Sequence, residues 1–247
     1  MIKPVLITLA TMIASAGAYA LDTTQQKQVQ NVIQLFKKND VAAITKQVQY
    51  PLKRDYPIPD IKNPADLQKR FDQIFDAPLK KQIAQSQLKD WSEVGSEGVV
   101  LSEGEIWLDE GKIIAVNHSG KKEQEYLQQI IQKQKNTLHS SVKNFTQPIV
   151  DFKTSKYRIR VDELANGQLR YASWGVNQAI SEQPQLVLKG KLVSDGGSFG
   201  DANYVFKNGQ YTYTVNRNTI GESDADILFM VEKNDVVVID TEGTLVY

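Results

Sequence analysis

Apolar residues recur at helical spacing through the first third of the chain and at strand spacing through the last half. Val29, Val32, Ile33 and Phe36 fall at i, i+3, i+4 and i+7, the stripe of an amphipathic helix. Asn39-Asp40 ends that helix and caps a second one carrying Val41, Ile44 and Val48. Tyr50-Pro51 closes the second, because the residue before proline is driven out of the α region. A connection punctuated by Pro57 and Pro59 follows. Asn63-Pro64-Ala65-Asp66 then supplies a capping side chain, a proline at the first helical position and an acid in the first turn. Leu67, Phe71, Ile74 and Phe75 form the buried face of this third helix. Asp76-Ala77-Pro78 restarts a short fourth one with Leu79 and Ile83.

The period then changes to two. Val99–Leu108 and Lys112–Val116 read as two strands joined at Glu110-Gly111, with Leu108 opposite Ile113 and Trp107 opposite Ile114. Gly104 reads as a bulge in the first of them. Ser119 or Gly120 caps a closing helix whose apolar face is Leu127, Ile130, Ile131 and Leu138. From Gln147 onward the pattern is almost wholly that of strands. Asn166-Gly167 turns Tyr157–Leu164 back on Leu169–Trp174, and a two-residue loop there sets Val161 against Ala172, Ile159 against Trp174 and Glu163 against Arg170. Asn208-Gly209 does the same for an aromatic hairpin, with Phe206 opposite Tyr211 and Tyr204 opposite Tyr213. Asn234-Asp235 pairs Val231 with Val238 and Met230 with Ile239. With Gln147–Lys153 and Gln185–Val193 these make about eight strands, the pattern of an antiparallel barrel or sandwich. The fold class is α+β: helices on a short curved antiparallel sheet over residues 21–139, then an all-β antiparallel module over 140–247.

Composition adds a compartment. Lys3 precedes an uncharged run from Pro4 to Leu21 that closes on Ala18-Tyr19-Ala20, the form of a secretory signal peptide over residues 1–20 cut after Ala20. The expectation is therefore a periplasmic or secreted protein with no membrane span after cleavage. There is no cysteine, so stability must come from core burial and not from disulfides. Lys plus Arg and Asp plus Glu both number 29, with no basic stripe, which argues against nucleic-acid binding.

Little in the sequence carries chemistry. Gly196-Gly197-Ser198-Phe199-Gly200 matches the nucleophile-elbow spelling, but a strand and not a helix follows it. The two histidines, His118 and His139, lack metal-ligand spacing. Acids at Asp195 and Asp201, or at Glu222, Asp224 and Asp226, lack the spacing of an EF-hand loop. No metal or cofactor is expected. Glu103, Glu105 and Trp107 share a strand face, and with His118 they are the candidate wall of a small-molecule pocket. Tyr204, Phe206, Tyr211 and Tyr213 share one hairpin face, which is core if it points inward and a partner surface if it points out.

Two resemblances carry implications. Tyr50-Pro51-Leu52, Asn63-Pro64, Phe71-Asp72-Gln73-Ile74-Phe75-Asp76, Gly98-Val99-Val100-Leu101 and Gly104-Glu105-Ile106-Trp107, in that order, resemble a bacterial exported module related in shape to nuclear transport factor two and the ketosteroid isomerases. That resemblance implies helices packed into a bent sheet around a conical pocket. Tyr171-Ala172-Ser173-Trp174 and the segment from Phe206 to Tyr213 resemble a β-module of bacterial envelope proteins to which no activity attaches. In outline this module is also similar to the small barrels of periplasmic lysozyme inhibitors, whose cysteines are absent here. The function expected is binding without catalysis, as an inhibitor or immunity protein with a protein partner in the cell envelope. The alternative is a carrier or enzyme with its pocket in the first module.

Overall fold

A computed structural model describes residues 20–194, 202–217 and 225–247. The signal-peptide run, the Gly196–Gly200 motif and the acids Asp195, Asp201, Glu222 and Asp224 lie outside the described residues. The architecture is mixed α+β: helices with a small antiparallel sheet, followed by a closed eight-stranded antiparallel barrel. The chain divides into two compact units within its fifth helix, the first ending at Gln128 and the second running from Gln129 to Tyr247.

In the first unit, α1 (Thr23–Lys38) opens on a capping box in which Asp22 accepts from the Gln25 amide and Gln25 accepts from the Asp22 amide, both at 2.8 Å. It ends at Asn39, held in the left-handed region at φ 50°, and Asp40 caps α2 (Val41–Gln47) through the Ala43 amide. Asn63 caps α3 (Pro64–Ile74) and Asp76 caps α4 (Ala77–Gln85), each with proline in the first turn as their sequences predict. The sheet runs in the order β1 (Trp91–Glu93), β2 (Val99–Leu101), β3 (Ile106–Asp109), β4 (Lys112–Val116). Val29, Val32, Phe36, Ile44, Leu67, Ile74, Phe75 and Leu79 from the helices share one core with Leu101, Ile106, Leu108 and Ile113 from the strands.

The sheet corrects the expected strand Val99–Leu108. Ser102–Glu105 is a turn, with Ser102 at φ 49° and Gly104 at φ 108°, so β2 folds back on β3 and pairs Leu101 with Ile106. Positive φ at two positions within four residues cannot be carried by an extended strand. The bulge instead lies between β3 and β4, where Leu108 faces Ile113 as expected but Trp107 faces Ala115.

Helix α5 (Lys121–Thr137) leads into the barrel, whose strands are β5 (Gln147–Lys153), β6 (Tyr157–Glu163), β7 (Leu169–Gly175), β8 (Leu186–Ser194), β9 (Ala202–Asn208), β10 (Tyr211–Arg217), β11 (Ile227–Lys233) and β12 (Val236–Leu245). Each pairs with its sequence neighbour, and β12 returns to β5 through Thr244 opposite Lys153 and Leu245 opposite Phe152. Three hairpin registers differ from the sequence reading. At Asn166-Gly167 the loop has three residues: the Gly167 amide donates to Leu164 O at 2.9 Å and Gly167 takes φ 78°, a type I turn followed by a left-handed residue. Val161 therefore faces Tyr171, Ile159 faces Ser173 and Asp162 faces Arg170. At the aromatic hairpin the loop is Gly209-Gln210, so Phe206 faces Tyr213 and Tyr204 faces Val215. At Asn234-Asp235 both residues are left-handed as a type I′ turn requires, and a bulge then shifts Val231 onto Ile239 and Met230 onto Asp240.

The barrel interior is apolar and aromatic. Phe152, Ile159, Val161, Tyr171, Phe206, Val215, Phe229 and Val231 fill it. Tyr171 sits at the hub, its ring 5.4 Å from Phe206, 5.5 Å from Tyr213 and 6.5 Å from Phe229. Each such ring pair contributes about 0.5–1.5 kcal/mol beyond its buried area.

Candidate functional site

Glu103, Glu105, Trp107 and His118 each have their own hydrogen-bond partners. Glu103 and Glu105 belong to the Ser102–Glu105 turn and not to a strand face, and a Glu105 carboxylate oxygen accepts from the Glu103 amide at 3.2 Å. The half-buried Trp107 donates its indole N–H back to Gly104 O at 3.1 Å. His118 Nε2 lies 3.0 Å from the Asp76 carboxylate that caps α4. That pair orients the end of β4 against α4. Beside it Arg54 forks onto Glu123, with Nε donating at 2.8 Å and Nη2 paired to the second carboxylate oxygen, while Nη1 and Nη2 also donate to Val116 O and His118 O. Both side chains are buried, Glu123 to 1% exposure. A bidentate pair with its remaining donors spent on backbone carbonyls is a structural clamp.

A cleft of about 570 Å³ is lined by the helical residues Gln68, Lys69, Arg70, Phe71, Asp72 and Gln73, with Asn39, Val41, Lys80 and Lys122, and no sheet residue borders it. Four cations meet one acid there. Lys80 donates to Asp72 at 2.9 Å and Lys122 approaches its other oxygen at 3.5 Å, and this hydrogen bond and the two charges hold the Asp72 carboxyl below its usual range despite partial desolvation. Arg70 donates to Pro59 O at 2.7 Å and to Gln73 at 3.2 Å, and its buried Nη2 has no hydrogen-bond partner. No signal in the sequence separated Lys69, Lys80 and Lys122 from other solvated lysines, because they come from three helices.

Tyr204, Phe206, Tyr211 and Tyr213 face the barrel interior. Phe206 is fully buried and the three tyrosines pack partly buried against the same core, the inward alternative of the sequence reading. Burial raises the phenols of Tyr171, Tyr204 and Tyr213.

The outer wall of β5, β6 and β7 carries a row of buried charges that the expected register did not anticipate. Arg158 donates through Nε and Nη2 to the two oxygens of Asp151, both at 2.9 Å. Arg160 reaches Asp151 at 3.5 Å and donates Nε to Asp162 at 2.7 Å, and Arg170 donates Nη2 to the other Asp162 oxygen at 2.7 Å. A roof from the same unit closes over them. Gln134 accepts from Arg160 at 2.9 Å, the Phe145 ring lies 4.7 Å from the Arg160 guanidinium, and Arg170 donates to Val142 O and Asn144 O. Arg160 and Asp162 are each 1% exposed, so the row is charge-dense and sealed from substrate.

Among the described residues the barrel unit leaves several large apolar side chains exposed: Val187 and Leu192 on β8, Tyr247 beyond β12, and a run at the start of β12. Val236, Val237 and Val238 are 65%, 50% and 51% exposed, three consecutive large apolar side chains at the tip of the β11–β12 hairpin. Leu228 on the outer face of β11 is 39% exposed. Among the described residues no group of three or more His, Cys, Asp or Glu side chains is placed to hold a metal ion, and no helix is long and apolar enough to cross a membrane. No protein-family model, no curated protein and no solved structure matches this chain.

Proposed function

We propose that this chain is a non-catalytic binding protein of the bacterial cell envelope, exported by its signal peptide, whose barrel unit engages a protein partner. The observation that carries the reading is the run Val236–Val238, three consecutive exposed valines on a unit whose core is built of inward-facing valines and aromatics. Contiguous exposed apolar side chains on a soluble chain mark contact surfaces. Among the described residues the buried charges Glu123, Asp151, Arg160, Asp162 and Arg170 are each engaged in ion pairs, which fits a protein that presents a surface. An inhibitor or immunity role against an envelope-targeting enzyme fits the same features. The test is capture from envelope extract with the wild-type chain and with Val237→Lys. A partner retained by the first and lost by the second supports the reading; identical recovery refutes it.

A second reading has its own observation. The helical cleft sets Lys69, Arg70, Lys80 and Lys122 around the single acid Asp72, a field suited to a small anion carrying phosphate or several carboxylates. Calorimetry with inorganic phosphate and with citrate, on wild type and on Lys69→Gln with Lys122→Gln, decides it. Absence of heat with both anions removes the cleft from consideration.

A further inference from the structure

We propose that β12 is a strand-addition site, taking an extended segment of a foreign protein that alternates apolar with basic side chains. The inference rests on the protein-binding reading and specifies its mode and the partner's chemistry. Strand β12 pairs with β11 from Val236 to Gly243, with Val238 bulged, but β5 meets it only at Thr244 and Leu245, with the Val246 amide donating to Asp151 O just beyond. Among the described residues, Val236–Thr241 has no strand on the side away from β11. Six residues of strand present about 20 Å of backbone edge. Natural barrels remove such edges by closure, and exposed edges elsewhere are blunted with lysine or proline. Here the row is Val-Val-Val-Ile-Asp-Thr, with neither.

Side-chain alternation specifies what would lie alongside. Val236 and Ile239 sit opposite Lys233 and Val231, on the inward-facing side of the hairpin; Val237 and Asp240 sit opposite Glu232 and Met230, on the outward-facing side. An added strand thus meets Val236 and Ile239 on one side, and Val237 and the acid Asp240 on the other, with Glu232 one strand further on. The charge at the hairpin tip is acidic: Glu232, Asp235 and Asp240 against Lys233, whose ammonium lies 5.6 Å from the Tyr211 ring. Two copies of this chain paired through β12 would bring those acids together, and like charges across a strand pair are destabilising. A foreign strand with lysine or arginine on its outward side meets no such cost and gains cross-strand ion pairs.

The decisive measurement uses fluorescein-labelled peptides of about ten residues, one alternating valine with lysine and one alternating valine with glutamate. Fluorescence anisotropy should rise on adding wild-type protein to the lysine peptide, with the glutamate peptide binding at least about tenfold more weakly. Asp240→Lys should invert that order. Val238→Pro should weaken the lysine peptide at least about tenfold. Val238 is the bulged residue with no partner position on β11, so proline there disturbs the added strand more than the hairpin. Far-ultraviolet circular dichroism verifies that each variant is folded, and Asp240→Lys keeps the test decisive should the proline variant unfold. Equal binding of the two peptides, or no inversion in Asp240→Lys, overturns the inference. An envelope partner held equally by wild type and Val238→Pro also overturns strand addition while leaving the protein-binding reading intact. Peptide binding of the expected pattern with no envelope partner captured would instead support the edge and count against that reading.

Discussion

Replacing Asp162 by asparagine should be among the most destabilising isosteric changes in the barrel. Its two carboxylate oxygens accept from Arg160 and Arg170 at 2.7 Å each, and the side chain is 1% exposed. The amide keeps one acceptor and turns N–H donors toward a guanidinium, so one arginine is left facing a donor. Arginine stays charged in proteins, so neither partner can escape by losing a proton. Removing one member of a buried ion pair costs about 3–5 kcal/mol. The lower end applies here, because Arg160 retains Asp151 and Gln134 and Arg170 retains Val142 O and Asn144 O. With a urea slope of about 2 kcal/mol per molar, a loss of about 3 kcal/mol lowers the midpoint by about 1.5 M. The assay is urea unfolding followed by Trp174, fully buried in the barrel unit, in a background carrying Trp91→Phe and Trp107→Phe. Glu125→Gln is the control, since its carboxylate is 59% exposed and 3.7 Å from Lys121, and it should move the midpoint negligibly. A shift for Asp162→Asn below about 0.5 M, the range of an exposed pair, would refute the claim that this row holds the wall of the barrel to its roof.

Alkaline pH should unfold the chain before its tyrosines have all titrated. Burial, with a smaller contribution from the Asp66 charge, pushes the Tyr50 phenol up to about 12, and burial also raises Tyr171, Tyr204 and Tyr213. The unfolded chain releases those protons first, so stability is fully present below about pH 10 and falls as pH rises through the raised values. Phenolate absorbance and circular dichroism should change together; a smooth titration of every tyrosine after Ala20 near pH 10 with the fold intact would contradict this. Gly190→Ala should destabilise the barrel by about 1–3 kcal/mol, measured by thermal unfolding. The new Cβ would stand 2.2 Å from Phe206 Cδ1 and 2.3 Å from Val205 O, and the backbone oxygen cannot move aside. An unchanged midpoint would show that β8 and β9 are less tightly apposed than described.

The helices were legible almost residue by residue, because each is delimited by local chemistry. Asn39, Asp40, Asn63 and Asp76 cap where their side chains predict, and the stripe Val29, Val32, Ile33, Phe36 is buried. The α+β class and the all-β second half were equally readable. Hairpin registers were not, because Asn-Gly serves both a two-residue loop and the three-residue loop used at Gly167. Both pairings set an acid against Arg170, Glu163 in the expected register and Asp162 in the observed one, so charge matching did not decide between them. A one-residue slip moves every side chain to the opposite face. The break at Ser102–Glu105 was harder to read, since Gly104 fits a bulge as well as a turn. The cationic cleft and the open edge of β12 depend on how distant segments assemble, which no local pattern encodes.

The ring-packed centre of the barrel has a consequence for cargo. Eight strands enclose a lumen just wide enough for side chains to fill or for one small ligand. Here Phe152, Tyr171, Phe206, Tyr213 and Phe229 occupy it. A fatty acid, retinoid or pigment would have to displace these packed rings to enter, at the cost of the contacts among them.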